Sequence, residues 1–106
     1  DIFNVTMNES LAVALLTNLL KNAFVHNIDG GHIRITVTKN SITFRNSGVE
    51  NPLDKEHIFE RFYQGTKKEG STGLGLAIAD SICRLQHLSI RYYFEQKEHC
   101  FEISRQ

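Results

Sequence analysis

Apolar residues at the start of the 106-residue chain follow the spacing of an amphipathic helix. From Thr6 to Asn27, leucines and alanines fill a broad arc when residues are placed at about 100° intervals around a helical axis. Thr6 and Glu9 have the spacing of a capping box, and Asn8 is a competing N-cap. The pattern therefore predicts one long helix that begins near these residues.

Alternation of apolar and polar residues replaces the helical spacing after the glycine pair at 30–31, which ends the helical unit. Ile33, Ile35 and Val37 would share one face of an extended chain, which predicts a strand. The stretch SITFRN continues as a second strand after a tight turn at Lys39–Asn40. Two such strands around a short polar turn indicate a hairpin.

The remaining elements complete a small mixed fold. Residues 49–72 hold the only proline and show no clean period, so they are expected to form an irregular segment. A helical period returns over 74–85, and 88–96 with 98–106 have the pattern of a closing hairpin. Residues 1–5 are short and apolar, as in an edge strand. The order predicts an α+β fold, a two-layer α/β sandwich with helices on one face of a mixed sheet of about five strands.

Length and charge narrow the class of protein. The chain suits one compact domain, residues 1–106, and is too short for two. A formal net charge of +0 argues against the broad basic surface that binds nucleic acid or an anionic membrane. No apolar run approaches the length of a transmembrane helix. The chain begins without Met, so we expect it to be a fragment of a larger protein.

The two cysteines show no disulfide-framework spacing. Cys83 falls on an apolar helical face, which predicts a reduced, buried thiol. A zinc site built from Cys83, Cys100, His87 and His99 is disfavoured, because the sequence has no C-x-x-C or H-x-x-x-H pair.

Two amides and an imidazole interrupt the apolar arc of the first helix. Asn22 falls inside the arc, Asn18 lies at its edge one turn earlier, and His26 lies one turn later. A buried amide without partners costs about 1–3 kcal/mol, so Asn22 needs a partner. One interpretation is a structural hydrogen bond to a neighbouring loop. The other is a polar ligand site, since amide oxygens suit Mg²⁺ that also binds phosphates.

A glycine cluster, Gly70, Gly73 and Gly75, precedes the second long helix. Free backbone N–H groups and the helix dipole make such a start an anion site, and glycine allows close approach. The cluster is neither a P-loop, because no lysine follows, nor a dinucleotide fingerprint, because the third glycine is missing. A flexible hinge before a capped helix is the structural alternative.

Taken together, the stretches NLLKNAFVHN, RNSG, IFERFYQ and GSTGLGLAIAD resemble, in this order, the catalytic ATP-binding domain of bacterial sensor histidine kinases. That family belongs to the wider group of DNA gyrase B, Hsp90 and MutL. The resemblance covers essentially the whole chain, and IFERFYQ with GLGLAIA is specific to the histidine kinase branch. It implies the Bergerat fold and the cofactors ATP and Mg²⁺.

The resemblance also implies roles for individual residues. Asn22 matches the asparagine that ligates Mg²⁺ between the phosphates, Asn18 the asparagine one turn earlier, and His26 the position that closes this box. Asn46 and Gly48 match the first glycine box, in which the family usually has an Asp that bonds the adenine amino group. The F box of the ATP lid and the second glycine box supply the other ATP-binding positions: Phe59, Arg61, Phe62, Gly70, Ser71, Thr72, Gly73, Leu74, Gly75 and Leu76.

Three positions depart from the family pattern. Asn46 replaces the usual Asp, so its amide accepts from an adenine amine without charge, and a flipped amide would donate to a guanine carbonyl. We therefore expect weaker or less selective adenine binding than with Asp. Glu50 replaces the second glycine of that box. Val25 stands where many relatives carry Lys or Arg near the phosphates. One interpretation is that Arg61, Lys67 or Lys68 of the lid supplies this charge; the other is that the two lysines belong to a solvated loop.

The implied mechanism places the lid, residues 49–72, over the bound nucleotide. The resemblance implies that the acceptor is a histidine on a separate dimerisation domain of the same protein. The family's acceptor histidine is normally followed by an acidic residue, and no histidine in this sequence is. The resemblance implies a response regulator as the next partner, a homodimer in the full-length protein, a monomeric isolated domain, and a cytoplasmic location in a membrane-anchored sensor kinase. Two alternatives stay open: a serine kinase of the anti-sigma-factor type, and a degenerate nucleotide-sensing module without transfer.

Overall fold

The computed structural model describes residues 6–25, 30–48, 57–60 and 75–105. These residues form two helices packed on one face of an antiparallel sheet, which confirms the predicted α+β sandwich. The elements, in chain order, are α1 (Glu9–Val25), β1 (Ile33–Val37), β2 (Ser41–Ser47), α2 (Gly75–Leu85), β3 (Leu88–Glu95) and β4 (Glu98–Arg105).

The described sheet has four strands in the order β1-β2-β4-β3. All three neighbouring pairs among these strands are antiparallel. A mixed sheet would also contain a parallel pair, and the described residues show none. The expected edge strand at residues 1–5 lies outside the described residues. Because β4 sits between β2 and β3, the first hairpin and the closing hairpin join into one sheet through the β2–β4 pair.

Helix α1 begins at Glu9 and is capped by Asn8, not by the predicted capping box of Thr6. Asn8 Oδ1 accepts hydrogen bonds from the backbone N–H groups of Ser10 (2.8 Å) and Leu11 (3.3 Å). One N-cap oxygen thus satisfies two of the donors that a helix start leaves without partners, so the helix starts later than the Thr6 pattern predicted. The predicted end at Asn27 lies outside the described residues.

Two tight turns close the hairpins where the sequence predicts them. At the first, the backbone N–H of Thr38 donates to Ser41 O (2.9 Å), so Lys39 and Asn40 form the tip. At the second, Gln96 and Lys97 have φ angles of 52° and 61°. Two consecutive left-handed residues match the twist of the flanking strands, as in a type I′ hairpin.

The core lies between α1, α2 and the helix-facing side of the sheet. Leu15, Leu19 and Ala23 of α1 are buried, and the cluster of buried residues to which the two leucines belong includes Phe44 of β2 and Phe101 of β4. Each fully buried leucine or phenylalanine contributes about 1.5–3 kcal/mol, so this cluster holds the helices on the sheet. No helix within the described ranges is both long and apolar enough to cross a membrane.

Cys83 confirms the predicted buried thiol. Its side chain is on the buried face of α2, and it forms no disulfide. Burial, with a smaller contribution from the nearby Asp80 charge, raises the pKa of the Cys83 thiol to about 11. The thiol therefore stays protonated at neutral pH and behaves as a small apolar side chain.

The choice of N-cap gives a direct test of the helix start. Replacing Asn8 by Ala removes the oxygen that accepts from Ser10 and Leu11, and should lower the free energy of unfolding by about 0.5–2 kcal/mol. Thr6→Ala is the matched control and should leave stability unchanged within about 0.5 kcal/mol. Urea unfolding followed by circular dichroism measures both. A larger loss in Thr6→Ala than in Asn8→Ala would show that the capping box forms after all.

Candidate functional site

The two asparagines of α1 lie at the edge of its buried stripe. Asn18 and Asn22 are half-buried, whereas the neighbouring Leu15, Leu19 and Ala23 are fully buried. Their spacing of four residues places both amides on one side of the helix. The side chain of His26, the third member of the predicted column, lies outside the described residues.

Asn18 makes a structural hydrogen bond. Its Nδ2 donates to Ala14 O (2.7 Å), one turn earlier in the same helix. Its Oδ1 faces the start of α2, because a Cβ placed on Gly75 would lie only 3.1 Å from this oxygen. Gly75 therefore lets the first turn of α2 approach α1 closely, and Asn18 occupies the contact between the helices. A contact of Asn18 with ATP stays a prediction.

Asn46 lies in the interior at the end of β2. It is 1% exposed, on the helix-facing side of the sheet, and its Nδ2 donates to Ser47 O (3.0 Å). A carbonyl oxygen can accept only from the amide N–H₂ group, so this bond fixes which end of the amide faces Ser47. The other end, Oδ1, is a pure acceptor. The geometry therefore favours an amide that accepts a hydrogen bond over one that donates.

His99, which the sequence analysis did not place in the site, lies directly beside Asn46. The antiparallel register of β2 and β4 pairs Asn46 with His99, and His99 is 5% exposed. The hydroxyl of Tyr92 lies 2.7 Å from His99 Nδ1, and the ring of Phe94 packs on the imidazole at 4.9 Å between ring centroids. The pairing of β2 with β4 places His99 there, and because these strands belong to different hairpins, the turn signals in the sequence do not predict their register.

The backbone at Gly48 comes close to the same imidazole. A Cβ built on Gly48 would overlap His99 Cδ2 and Nε2. Gly48 is not among the described residues with positive φ, so a left-handed backbone is not the reason for a glycine there. The predicted first glycine box therefore has a steric requirement for glycine, and that requirement comes from β4.

The F box is described only in part. Ile58 is 2% exposed and belongs to the core, while the Phe59 ring packs edge-to-face on Phe101 with 6.3 Å between centroids. Phe59 therefore anchors this segment to the sheet. Leu76, from the second glycine box, is half-buried and packs against the core. The other positions predicted for the lid and the glycine box lie outside the described residues: Arg61, Phe62, Gly70, Ser71, Thr72, Gly73 and Leu74.

A buried carboxylate supports the end of β2 from the opposite face of the sheet. Glu98 is 3% exposed; its Oε1 accepts from Arg34 Nη2 (2.6 Å) and its Oε2 lies 2.7 Å from His32 Nε2. The backbone N–H of His32 donates to Ser47 Oγ (2.6 Å). Glu98 is also paired with Ser47 in the register of the sheet. Through His32, the cluster therefore links Ser47, the residue next to Asn46, to Glu98 of β4.

No three His, Cys, Asp or Glu side chains within the described ranges come together as they would around a metal ion. The Asn22 residue is half-buried at the edge of the buried stripe, and a single amide oxygen suits Mg²⁺ that takes most of its ligands from phosphates and water.

The fold and these motifs define a nucleotide-binding α/β sandwich, and a family model confirms this class. The model described as histidine kinase-, DNA gyrase B- and HSP90-like ATPase matches residues 7–104, so the chain belongs to this family. Within the family it is an ATP-binding catalytic domain of the histidine kinase type, as the following relatives show.

The sensor histidine kinase RppB of Synechocystis sp. is 43% identical over 84 residues, which cover 71% of this chain and 18% of RppB. The heme sensor protein HssS of Staphylococcus aureus is 39% identical over 90 residues, covering 80% of this chain and 20% of HssS. The chain thus spans about a fifth of the length of these curated relatives.

Solved structures share the fold. The catalytic domain of histidine kinase ThkA is 26% identical, with a TM-score of 0.76 that covers 93% of this chain and 68% of that one. The mycobacterial sensor histidine kinase MprB, 20% identical, has a TM-score of 0.77 that covers 95% of this chain and 77% of MprB, and this likeness concerns the fold alone.

The Glu98 cluster predicts how stability depends on pH. Burial alone would raise the pKa of Glu98, but hydrogen bonds from Arg34 and His32, with their charges, outweigh burial and lower it. A carboxylate with a lowered pKa stabilises the fold above its unfolded-state pKa, and this stabilisation is lost as pH falls through the folded-state value.

We therefore expect Glu98→Gln to be less stable than the original chain at neutral pH by about 1–3 kcal/mol. The difference should shrink below the ordinary glutamate pKa, where the original carboxylate is being protonated. Thermal unfolding between pH 3 and pH 7 measures both. Glu102→Gln, which breaks the more exposed ion pair with Arg91, is the control and should cost about 0–1 kcal/mol. Equal pH profiles for Glu98→Gln and the original chain would contradict the assignment.

Proposed function

We propose that this domain binds ATP with Mg²⁺ and donates the γ-phosphate to a histidine on a separate dimerisation domain. The observation that carries the proposal is the buried Asn46 amide: its Nδ2 donates to Ser47 O, and we assign its Oδ1, a pure acceptor, to an adenine amino group. Family membership supports ATP as the nucleotide. Phosphoryl transfer needs positioning and charge neutralisation more than covalent chemistry, so a domain built to hold a nucleotide suffices as donor.

In this proposal, different residues bind different parts of the nucleotide. Asn46 and the Gly48 backbone bind the base end, and Asn22 offers an amide oxygen to Mg²⁺. Mg²⁺ neutralises charge on the phosphates when it is bound. The start of α2, at Gly75, points its backbone N–H groups towards the phosphates. The lid, residues 49–72, closes over the nucleotide and excludes water. Asn18, held by Ala14 O, positions the start of α2.

The partners and the location belong to the same proposal. The names of RppB and HssS describe sensors, and this chain spans only a fifth of their length. We infer that the whole protein is a homodimeric, membrane-anchored sensor with this domain in the cytoplasm, that it carries the phosphoacceptor dimerisation domain, and that it passes the phosphate to a response regulator. The isolated domain would be a monomer without a nucleic-acid partner. A serine kinase of the anti-sigma-factor type and a nucleotide sensor without transfer are the alternatives.

Asn46 determines the selectivity of the proposed site. Asn46→Asp replaces a neutral acceptor by a charged one, and charge-assisted hydrogen bonds are about twice as strong, so ATP should bind roughly three- to tenfold more tightly and GTP should not. The same change removes the donor to Ser47 O and should lower stability by about 1–3 kcal/mol. Titration calorimetry with non-hydrolysable ATP and GTP analogues, plus thermal unfolding, measures both effects. Unchanged ATP affinity and unchanged preference over GTP would refute the role of Asn46.

Transfer can be tested with the parts separated. The isolated chain with ATP should show no phosphohistidine, whereas adding the dimerisation domain of the same protein should yield it. Asn22→Ala should lower the rate by about tenfold or more, because an oxygen ligand of Mg²⁺ is lost, and Asn22→Asp should keep an oxygen there and retain activity.

Asn40→Ala, a change of the same type in an exposed turn, is the control and should leave the rate unchanged. Binding of ATP without any phosphohistidine in the mixture would favour the sensing module. Phosphoserine on an added protein substrate would favour the serine kinase.

A further inference from the structure

The buried pair of Tyr92 and His99 has no part in the mechanism above, although His99 adjoins the residues assigned to the base. Both side chains are at least nine-tenths buried, at 5% exposure each. A buried imidazole and phenol are retained in a core only with hydrogen-bond partners, and here the two bond each other through Tyr92 OH and His99 Nδ1 at 2.7 Å. The pair therefore fixes the orientation of the imidazole.

Three contacts hold the imidazole in one position. Tyr92 binds its Nδ1 edge, and the Tyr92 ring also lies nearly parallel to it, 5.8 Å away between centroids. Phe94 packs against it at 4.9 Å. The remaining edge, Cδ2–Nε2, faces the backbone of Gly48. A side chain packed on this many sides keeps one orientation.

This edge of the imidazole determines where the backbone of Gly48, the residue after β2, lies. The Gly48 backbone rests on the imidazole so closely that no side chain fits at position 48. The N–H of Gly48 also donates to Lys97 O (3.3 Å), so Gly48 is joined to the turn before β4 as well. Asn46 is the direct cross-strand neighbour of His99 on the same face of the sheet. Cross-strand neighbours are about 4.5–5.5 Å apart at Cβ, so the imidazole also borders the Asn46 amide.

We propose that His99, held by Tyr92, is a positioning residue of the base-binding end, which sets where the Asn46 amide and the Gly48 backbone meet a purine and thereby determines the preference for adenine over guanine. The proposal rests on the nucleotide-binding function inferred above. It adds two residues of β3 and β4 to a base site otherwise assigned to the end of β2.

Tyr92→Phe is the sharpest probe, because it keeps the ring in the core and removes only the hydroxyl that orients His99. It should weaken binding of a non-hydrolysable ATP analogue by about three- to tenfold and reduce the preference for ATP over the GTP analogue. Binding of Mg²⁺-tripolyphosphate, which has no base, should not change. Tyr93→Phe is the matched control, since its side chain lies on the opposite face of the sheet, and it should leave all three affinities unchanged within about twofold.

A second measurement tests the steric part of the proposal without nucleotide. Gly48→Ala should lower the thermal midpoint markedly, because the new methyl group meets His99. In a His99→Ala background the same Gly48→Ala change should cost less than half as much, as a double-mutant cycle would show. Equal costs in both backgrounds would overturn the proposal.

The outcomes separate this proposal from the function on which it rests. If the original chain binds neither the ATP nor the GTP analogue, the proposed function fails. The double-mutant cycle alone then decides whether His99 determines the position of the Gly48 backbone. If the original chain binds ATP and Tyr92→Phe lowers only the thermal midpoint, with affinity and selectivity intact, His99 has a purely structural role and the proposal is overturned.

Discussion

The pairing of β2 with β4 is the constraint on which both the fold and the candidate site depend. It joins the first hairpin to the closing hairpin, and it pairs Phe44 with Phe101, the two buried phenylalanines at the centre of the sheet. Two positions further along, the same register pairs Asn46 with His99. A slip of one residue would exchange the two faces of either strand, so it would destroy the core and the site together.

The two faces of this strand pair serve different purposes. The helix-facing side carries apolar residues and ends in Asn46 and His99, while the opposite side carries Glu98 with Arg34 and His32. Burying the Glu98 carboxylate is tolerated because two cationic or hydrogen-bonding groups compensate it. The end of β2 is therefore supported on both faces of the sheet. The Tyr92–His99 pair packs on the helix-facing side, and the Glu98 cluster lies on the opposite side. Such support from neighbouring groups is what a binding residue needs in order to keep one geometry.

Sequence patterns predicted the elements well because most of them depend on local periodicity. Both hairpins with their turns lie where the sequence patterns placed them, as do both helices apart from the later start of α1, and Asn8 was already a candidate cap. The patterns could not predict contacts that depend on the register between distant strands. His99 was therefore assigned to no site, and Gly48 was assigned to the first glycine box without its steric cause, the nearby ring of His99 on β4. A structural hydrogen bond was one of two open alternatives for the amides of α1, but the partner of Asn18, Ala14 O in the same helix, was not predicted, since spacing alone does not show where an amide points.

The neutral amide at position 46 is consistent with its surroundings. An Asp there would be a buried carboxylate on the helix-facing side of the sheet, whereas Arg34 and His32 lie on the opposite side and are already hydrogen-bonded to Glu98. Burial without a nearby cation raises the cost of ionising a carboxylate. An Asp would also present an oxygen to the carbonyl of Ser47, where Asn46 presents a donor. The surroundings of Asn46 therefore suit an uncharged amide: its Nδ2 donates to Ser47 O within the fold, and its Oδ1 remains the acceptor that the proposed function assigns to adenine.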